Sequence, residues 1–102
     1  MILVTGATGH LGNVLLSEIR KRYPGEALRI LVLPGERVGP IDGVTAEILC
    51  GDIRNPERVR EAVTGARLVF HLAGLVEIRA GKEHLLEQVN VHGTRNIVDA
   101  CL

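Results

Sequence analysis

Three glycines stand at every third position in VTGATGHLGN: Gly6, Gly9 and Gly12. They follow the apolar, β-branched run MILV and precede apolar residues that recur at helical spacing. A strand, a glycine-rich turn and a helix start, in that order, suit the holding of a phosphate group. Gly6 permits the tight turn. Gly9 lets a pyrophosphate approach a backbone that has no Cβ. Gly12 lets the helix pack close to the strand. The free N–H groups of the first helical turn then present a partial positive charge to the anion. With strand before and helix after, phosphate binding is favoured over a turn that serves packing alone. No G-K-[ST] follows at the spacing of a nucleoside-triphosphate loop, so that chemistry is excluded.

Other chemistries find less support. His10, His71, His84 and His92 lack metal-ligand spacing, and no metal site is expected. His71 ends an apolar run and reads as a hydrogen-bonded structural residue rather than a base. Lys plus Arg and Asp plus Glu number 12 each, so no overall field favours nucleic acid or acidic membranes. One Tyr and one Phe offer little stacking for bases. Cys50 and Cys101 form no CxxC pair and read as buried, reduced thiols of a cytoplasmic protein. The sequence shows no basic leader and no apolar run long enough to span a bilayer.

The elements that must position the glycines alternate in type. MILVT reads as a strand buried on both faces, as in a parallel sheet. Leu11, Val14, Leu15 and Ile19 predict the inner face of a helix that Tyr23-Pro24-Gly25 stops. Ala27 to Leu33 is a second strand. PGERVGPIDG is a loop, and VTAEILC a third strand. Asn55 caps a helix with Pro56 at its first position and Gly65 as terminator. Ala66 to Gly74 is a fourth strand. From about Lys82 onward Leu85, Val89, Ile97 and Cys101 mark a long helix. Strands joined by right-handed helical crossovers give an α/β fold, a parallel sheet of order 3-2-1-4. That is the first half of a doubly wound fold. A chain of 102 residues is one domain at most. It buries roughly 60–70% of its unfolded surface.

TGATGHLG, GDIRNPE, VFHLAG and VNVHGTRNIVDAC, in this order, resemble the N-terminal half of the extended short-chain dehydrogenase/reductase family. The NAD-dependent epimerase/dehydratases and the dihydroflavonol-reductase and 3β-hydroxysteroid-dehydrogenase-like members belong to it. HLAG before the NVHGT helix is most similar to the reductase branch. The resemblance implies a Rossmann-like NAD(P)-binding half-domain over residues 1–102. It implies that Gly6, Gly9, His10, Leu11 and Gly12 line the pyrophosphate. Asp52 and Ile53 would hold the adenine, with the Asp52 carboxylate accepting from the exocyclic amine. Leu72, Ala73 and Gly74 would lie beneath the ribose and nicotinamide side, with Val76 nearby. Asn90 would support the cofactor end of the site. Asp52 has a second reading as the residue that turns the chain after strand three. Asn90 has one as a local backbone-bonding residue.

A carboxylate about 20 residues after the glycines would select NAD through the ribose 2′-OH. Strand two instead ends at Leu33-Pro34, with Glu36 and Arg37 in the loop beyond. Arg37 reads either as a partner of a 2′-phosphate, favouring NADP, or as a solvated loop charge.

The family's chemistry needs a tyrosine with a lysine four positions later, and a Ser or Thr on the next strand. The only tyrosine is Tyr23, and the residue four on is Ala27. The catalytic and substrate-binding parts are therefore expected to be absent, and the chain alone is not expected to turn over substrate. Two readings stand. One is the cofactor part of an NAD(P)-dependent oxidoreductase or epimerase. The other is a free-standing, non-catalytic dinucleotide-binding or interaction module. With strand four at a sheet edge, pairing between copies or aggregation is expected.

Overall fold

The N-terminal apolar run forms β1 (Ile2–Thr5), buried at all four positions, in a computed structural model that describes residues 1–7, 10–35, 46–73 and 83–102. The elements that follow are α1 (His10–Arg22), β2 (Leu28–Val32), β3 (Glu47–Cys50), α2 (Pro56–Val63) and β4 (Leu68–His71). A last helical run comprises α3 (Glu83–Leu86), a π-helical stretch Glu87–Gly93 and α4 (Thr94–Cys101). The strands form one parallel sheet of order β3-β2-β1-β4, as the alternation of elements predicts. Ile2 pairs with Leu28 and Leu68, and Thr5 with Leu31 and His71, so β1, β2 and β4 end level. β4 is the outermost described strand on its side.

Side chains alternate across β1 and divide the core in two. Ile2 and Val4 pack with Ala7, Leu16, Ile19, Leu28, Ile30 and Val32 on the α1 side. Leu3 packs with Leu31, Ile53, Val59, Ala62 and Ile97 on the side of α2 and α4. Both faces of the sheet are thus covered, which is why β1 and β2 carry almost no polar residue.

The structure turns α1 differently from the apolar spacing. Leu16 and Ile19 are buried, but Leu11 is 66% and Val14 50% exposed. The reason is Gly12, which faces the turn after β1. Positions three, four and seven residues beyond it are Leu15, Leu16 and Ile19, and these share its face. Reckoning by apolar residues alone left the glycine out of the stripe.

α2 begins and ends as its sequence dictates. Asn55 Oδ1 accepts from the N–H groups of Glu57 (3.1 Å) and Arg58 (3.3 Å). Pro56 opens the helix and Gly65 follows it at φ +85°. Arg29 of β2 donates to the carbonyls of Ala62 (2.9 Å) and Thr64 (3.0 Å), placing a cation at the negative helix end. The same side chain pairs with Glu47 of β3 at 2.9 Å.

The final helix carries a feature the periodicity does not reveal. Val89, Gly93 and Ile97 turn inward at steps of four residues. A straight α-helix drifts away from such a repeat, whereas a π-helical turn is wider. After Gly93 the α period resumes, so Ala100 follows Ile97 inward and Cys101 is exposed. Cys50, at the end of an outer strand, is exposed too. Both thiols are free, as expected, but neither is buried. Among the described residues, no helix is long and apolar enough to cross a membrane.

At the far end of the sheet, Glu26 lies 2.9 Å from both Arg67 and the N-terminal ammonium. The hydrogen bond from Arg67, then that from the ammonium, holds its carboxyl down at about 2.

The orientation of α1 has a direct check in urea unfolding. Leu16→Ala is expected to cost about 2–5 kcal/mol. Leu11→Ala is expected to change stability by no more than about 0.5 kcal/mol. The reverse order would mean that the apolar spacing, not Gly12, sets the helix face.

Candidate functional site

From β1 the chain proceeds to β2 and β3 on one side, and β4 joins on the other. α1, which follows β1, packs on one face of the sheet and α4 on the other, so the crevice at which α/β sheets bind ligands falls beyond the C-terminal ends of β1 and β4. The Gly6 turn stands there. Gly6 has φ +73°, and a Cβ on it would fall 2.6 Å from Ala73 N and Leu72 C. Only glycine allows both the dihedral and the approach. A Cβ on Gly12 would overlap the Gly6 carbonyl oxygen and lie 2.6 Å from Ala7 Cα. The helix is thus seated on its own turn, with its N-terminus at the crevice. No acidic residue stands in its first turn to repel an anion.

Beneath the turn lies a partly buried polar chain. Thr5, fully buried, accepts the Ala73 N–H at 3.2 Å, and its Oγ1 is 2.6 Å from His71 Nδ1. His71 Nε2 is 3.0 Å from Thr94 Oγ1. The Thr5 and Thr94 hydroxyls can each donate or accept, so the neutral ring bridges them in either tautomer. Burial pushes the His71 pKa below its ordinary value. The structural role that the sequence suggests for His71 is the one it has: it ties β1, β4 and α4 together.

The loop after β3 forms the second wall. Asp52 Oδ1 accepts the Arg54 backbone N–H at 2.9 Å, and the Arg54 guanidinium spans both carboxylate oxygens at 2.7–3.1 Å. The side-chain hydrogen bond from Arg54 is the main cause that holds the Asp52 carboxyl below the usual carboxylate range. Asp52 also turns the chain, since its carbonyl accepts the Asn55 N–H at 2.9 Å. Ile53 is buried against Gly93, where a Cβ would lie 2.6 Å from Ile53 Cδ1. Asn96 Nδ2 donates to the Ile53 carbonyl at 2.9 Å.

Of the residues singled out in the sequence, Gly6, Gly12, Leu72 and Ala73 come together at the crevice. His10 opens α1, and Leu11 lies in its first turn with its side chain exposed. Asp52 and Ile53 occupy the neighbouring loop. Asn90 lies in the π-helical stretch, exposed, three residues before Gly93. Gly9, Arg37, Gly74 and Val76 fall outside the described residues. Arg54, Thr94 and Asn96 were not anticipated. Thr5 was legible in part, because a threonine in a wholly apolar strand must find a buried partner.

The profile of the 3-beta hydroxysteroid dehydrogenase/isomerase family matches residues 3–102. The chain belongs to this family. Sterol demethylase protein B of Methylococcus capsulatus is 40% identical over 96 residues, covering 94% of this chain and 29% of that protein. Human 3 beta-hydroxysteroid dehydrogenase type 7 is 39% identical over 110 residues, covering 98% of this chain and 28% of its own length. A short-chain dehydrogenase/reductase superfamily protein from Agrobacterium tumefaciens, solved with bound NAD, superposes with a TM-score of 0.78 at 28% identity. That match covers 99% of this chain and 28% of the Agrobacterium protein. The chain thus spans less than a third of the length of these family relatives.

The Thr5–His71–Thr94 chain makes stability depend on pH. The folded pKa of His71 lies below the unfolded value of about 6.5. Its contribution is complete above the unfolded value and is lost as pH falls from there through the folded value. Urea midpoints between pH 7.5 and 5 are expected to fall for the native chain and to fall less steeply for His71→Asn, which does not titrate. Equal slopes would contradict the buried neutral ring.

Proposed function

We propose that the chain is the NAD(P)-binding part of an oxidoreductase or epimerase that acts on a hydroxyl or carbonyl substrate by hydride transfer. The observation that carries this reading is the Gly6 turn packed on Leu72 and Ala73 at the crevice, with α1 starting beside it. The NAD held by the similar Agrobacterium protein supports it. In this reading residues 1–102 form one Rossmann half-domain. The backbone at Gly6, Gly9, His10, Leu11 and Gly12 cradles the pyrophosphate, and the N–H groups opening α1 oppose its charge. Asp52 and Ile53 receive the adenine. Leu72, Ala73, Gly74 and Val76 support the ribose and nicotinamide side, with Asn90 at that end.

The residues fit such a group in kind. Gly6 and Gly12 put no Cβ at the two closest approaches of the turn, and an acid-free helix start does not repel a phosphate. When bound, the nicotinamide supplies or takes up the hydride. The chain's own residues bind and orient the dinucleotide. They offer no tyrosine–lysine pair for proton transfer, because Tyr23 follows the C-terminal end of α1 with Arg67 5.5 Å over its ring. The 102 residues alone therefore bind cofactor and do not turn over substrate.

NADP suits the end of β2 better than NAD. No acid stands at Leu33-Pro34 to accept from a ribose 2′-OH, and Arg37 can pair with a 2′-phosphate. Fluorescence titration is expected to show NADPH binding more tightly than NADH. Arg37→Ala should remove the difference, about tenfold for a lost charged pair. Tighter binding of NADH would reverse the assignment. Binding of neither cofactor at millimolar concentration would contradict the function itself.

A further inference from the structure

The Arg54 side chain lies against Asp52 and has no role in the reading above. Only Ile53 separates them in sequence, and the guanidinium bridges both carboxylate oxygens: Nε to Oδ1 at 3.1 Å and Oδ2 at 3.0 Å, Nη2 to Oδ2 at 2.7 Å. The Arg54 backbone N–H adds a third donor, to Oδ1 at 2.9 Å. The four contacts come from three N–H groups, because the Nε–H is shared between the two oxygens; an ionised carboxylate offers about four acceptor positions, so about one is left.

We propose that Arg54 is a positioning residue for adenine recognition: it fixes the Asp52 carboxylate with one acceptor position free, and that position takes the exocyclic amine. This rests on the NAD(P)-binding reading and adds the means by which its adenine end is selective. The loop backbone is already held from behind, where Asn96 binds the Ile53 carbonyl and Ile53 packs on Gly93. The Arg54 side chain adds to the single backbone bond at Oδ1 a grip on both oxygens, which stops the rotation that one bond leaves to the partly exposed Asp52 carboxylate. Lysine cannot replace it, because one ammonium cannot make two parallel bonds to a carboxylate. A remaining acceptor that is fixed in place welcomes an amine and rejects a carbonyl. The site therefore distinguishes an amino-purine from an oxo-purine through a residue that does not touch the ligand.

The test measures dissociation constants for nicotinamide adenine dinucleotide phosphate and its hypoxanthine analogue, which carries a carbonyl in place of the amine. The native chain is expected to prefer adenine by about tenfold, the scale of one acceptor left unpaired. Arg54→Met and Arg54→Lys should weaken adenine binding and leave hypoxanthine binding nearly unchanged, so that the preference falls to about twofold. A second readout needs no ligand: the Asp52 carboxyl, followed by carbon NMR, should titrate below the usual carboxylate range and return to it in Arg54→Met. Equal weakening of both ligands would reduce Arg54 to a structural role and overturn the proposal. So would an undiminished adenine preference in either variant, or an Asp52 titration that Arg54→Met does not move. If the native chain binds neither dinucleotide, the NAD(P) reading fails and this proposal with it. If it binds both equally, only this proposal fails.

Discussion

No side chain fits between Gly6 and the end of β4, and the arrangement of the whole crevice follows from that contact. A Cβ at Gly6 would lie 2.6 Å from backbone atoms of Leu72 and Ala73, which cannot move aside as a flexible side chain would. The contact sets the height of the first turn above the sheet. Gly12 then brings α1 onto the same turn, overlapping the space beside the Gly6 carbonyl. Once those two approaches are fixed, the direction of α1 is fixed, and Leu16 and Ile19 enter the core because they share the Gly12 face. Core packing and site geometry are thus one constraint seen from two sides.

Polar groups reinforce the same place. The apolar core ends at Thr5, and from there the chain Ala73 N–H, Thr5, His71, Thr94 links both strand ends to α4. A buried polar group left unpaired costs about 1–3 kcal/mol, so each member holds the others in position. The loop after β3 is held by α4 as well, through Asn96 and Gly93. The final helix therefore reaches both walls of the crevice. Its π-helical stretch lets residues four apart keep facing inward up to Gly93 and Ile97.

Much of this was legible in the residues. The strand order, the Asn55-Pro56 helix start and the roles of Gly6 and Gly12 follow from local chemistry, because turns and caps depend on few neighbours. The inner face of α1 was not, because a periodicity of apolar residues does not count a glycine as buried. Cys50 and Cys101 were expected inside on residue type, but an outer strand and a resumed α-helical period place them outside. Arg54, Thr94 and Asn96 escaped notice for a different reason. The partners of Thr94 and Asn96 are an imidazole and a carbonyl that only the tertiary fold brings into reach, and Arg54 grips a carboxylate two positions away through a loop geometry that spacing does not display. Thr94 and Asn96 lie within a stretch that signals family membership, but the signal does not state what each polar side chain holds.

The central claim is that a dinucleotide lies across the C-terminal ends of β1 and β4, against the Gly6 turn. Backbone amide NMR of the 15N-labelled chain titrated with NADPH tests it most directly. The account predicts shifts gathered at Gly6 to Gly12, at Asp52 to Arg54 and at Leu72 and Ala73, with the opposite sheet end around Glu26 and Arg67 unmoved. Shifts centred elsewhere, or none at saturating NADPH, would contradict it.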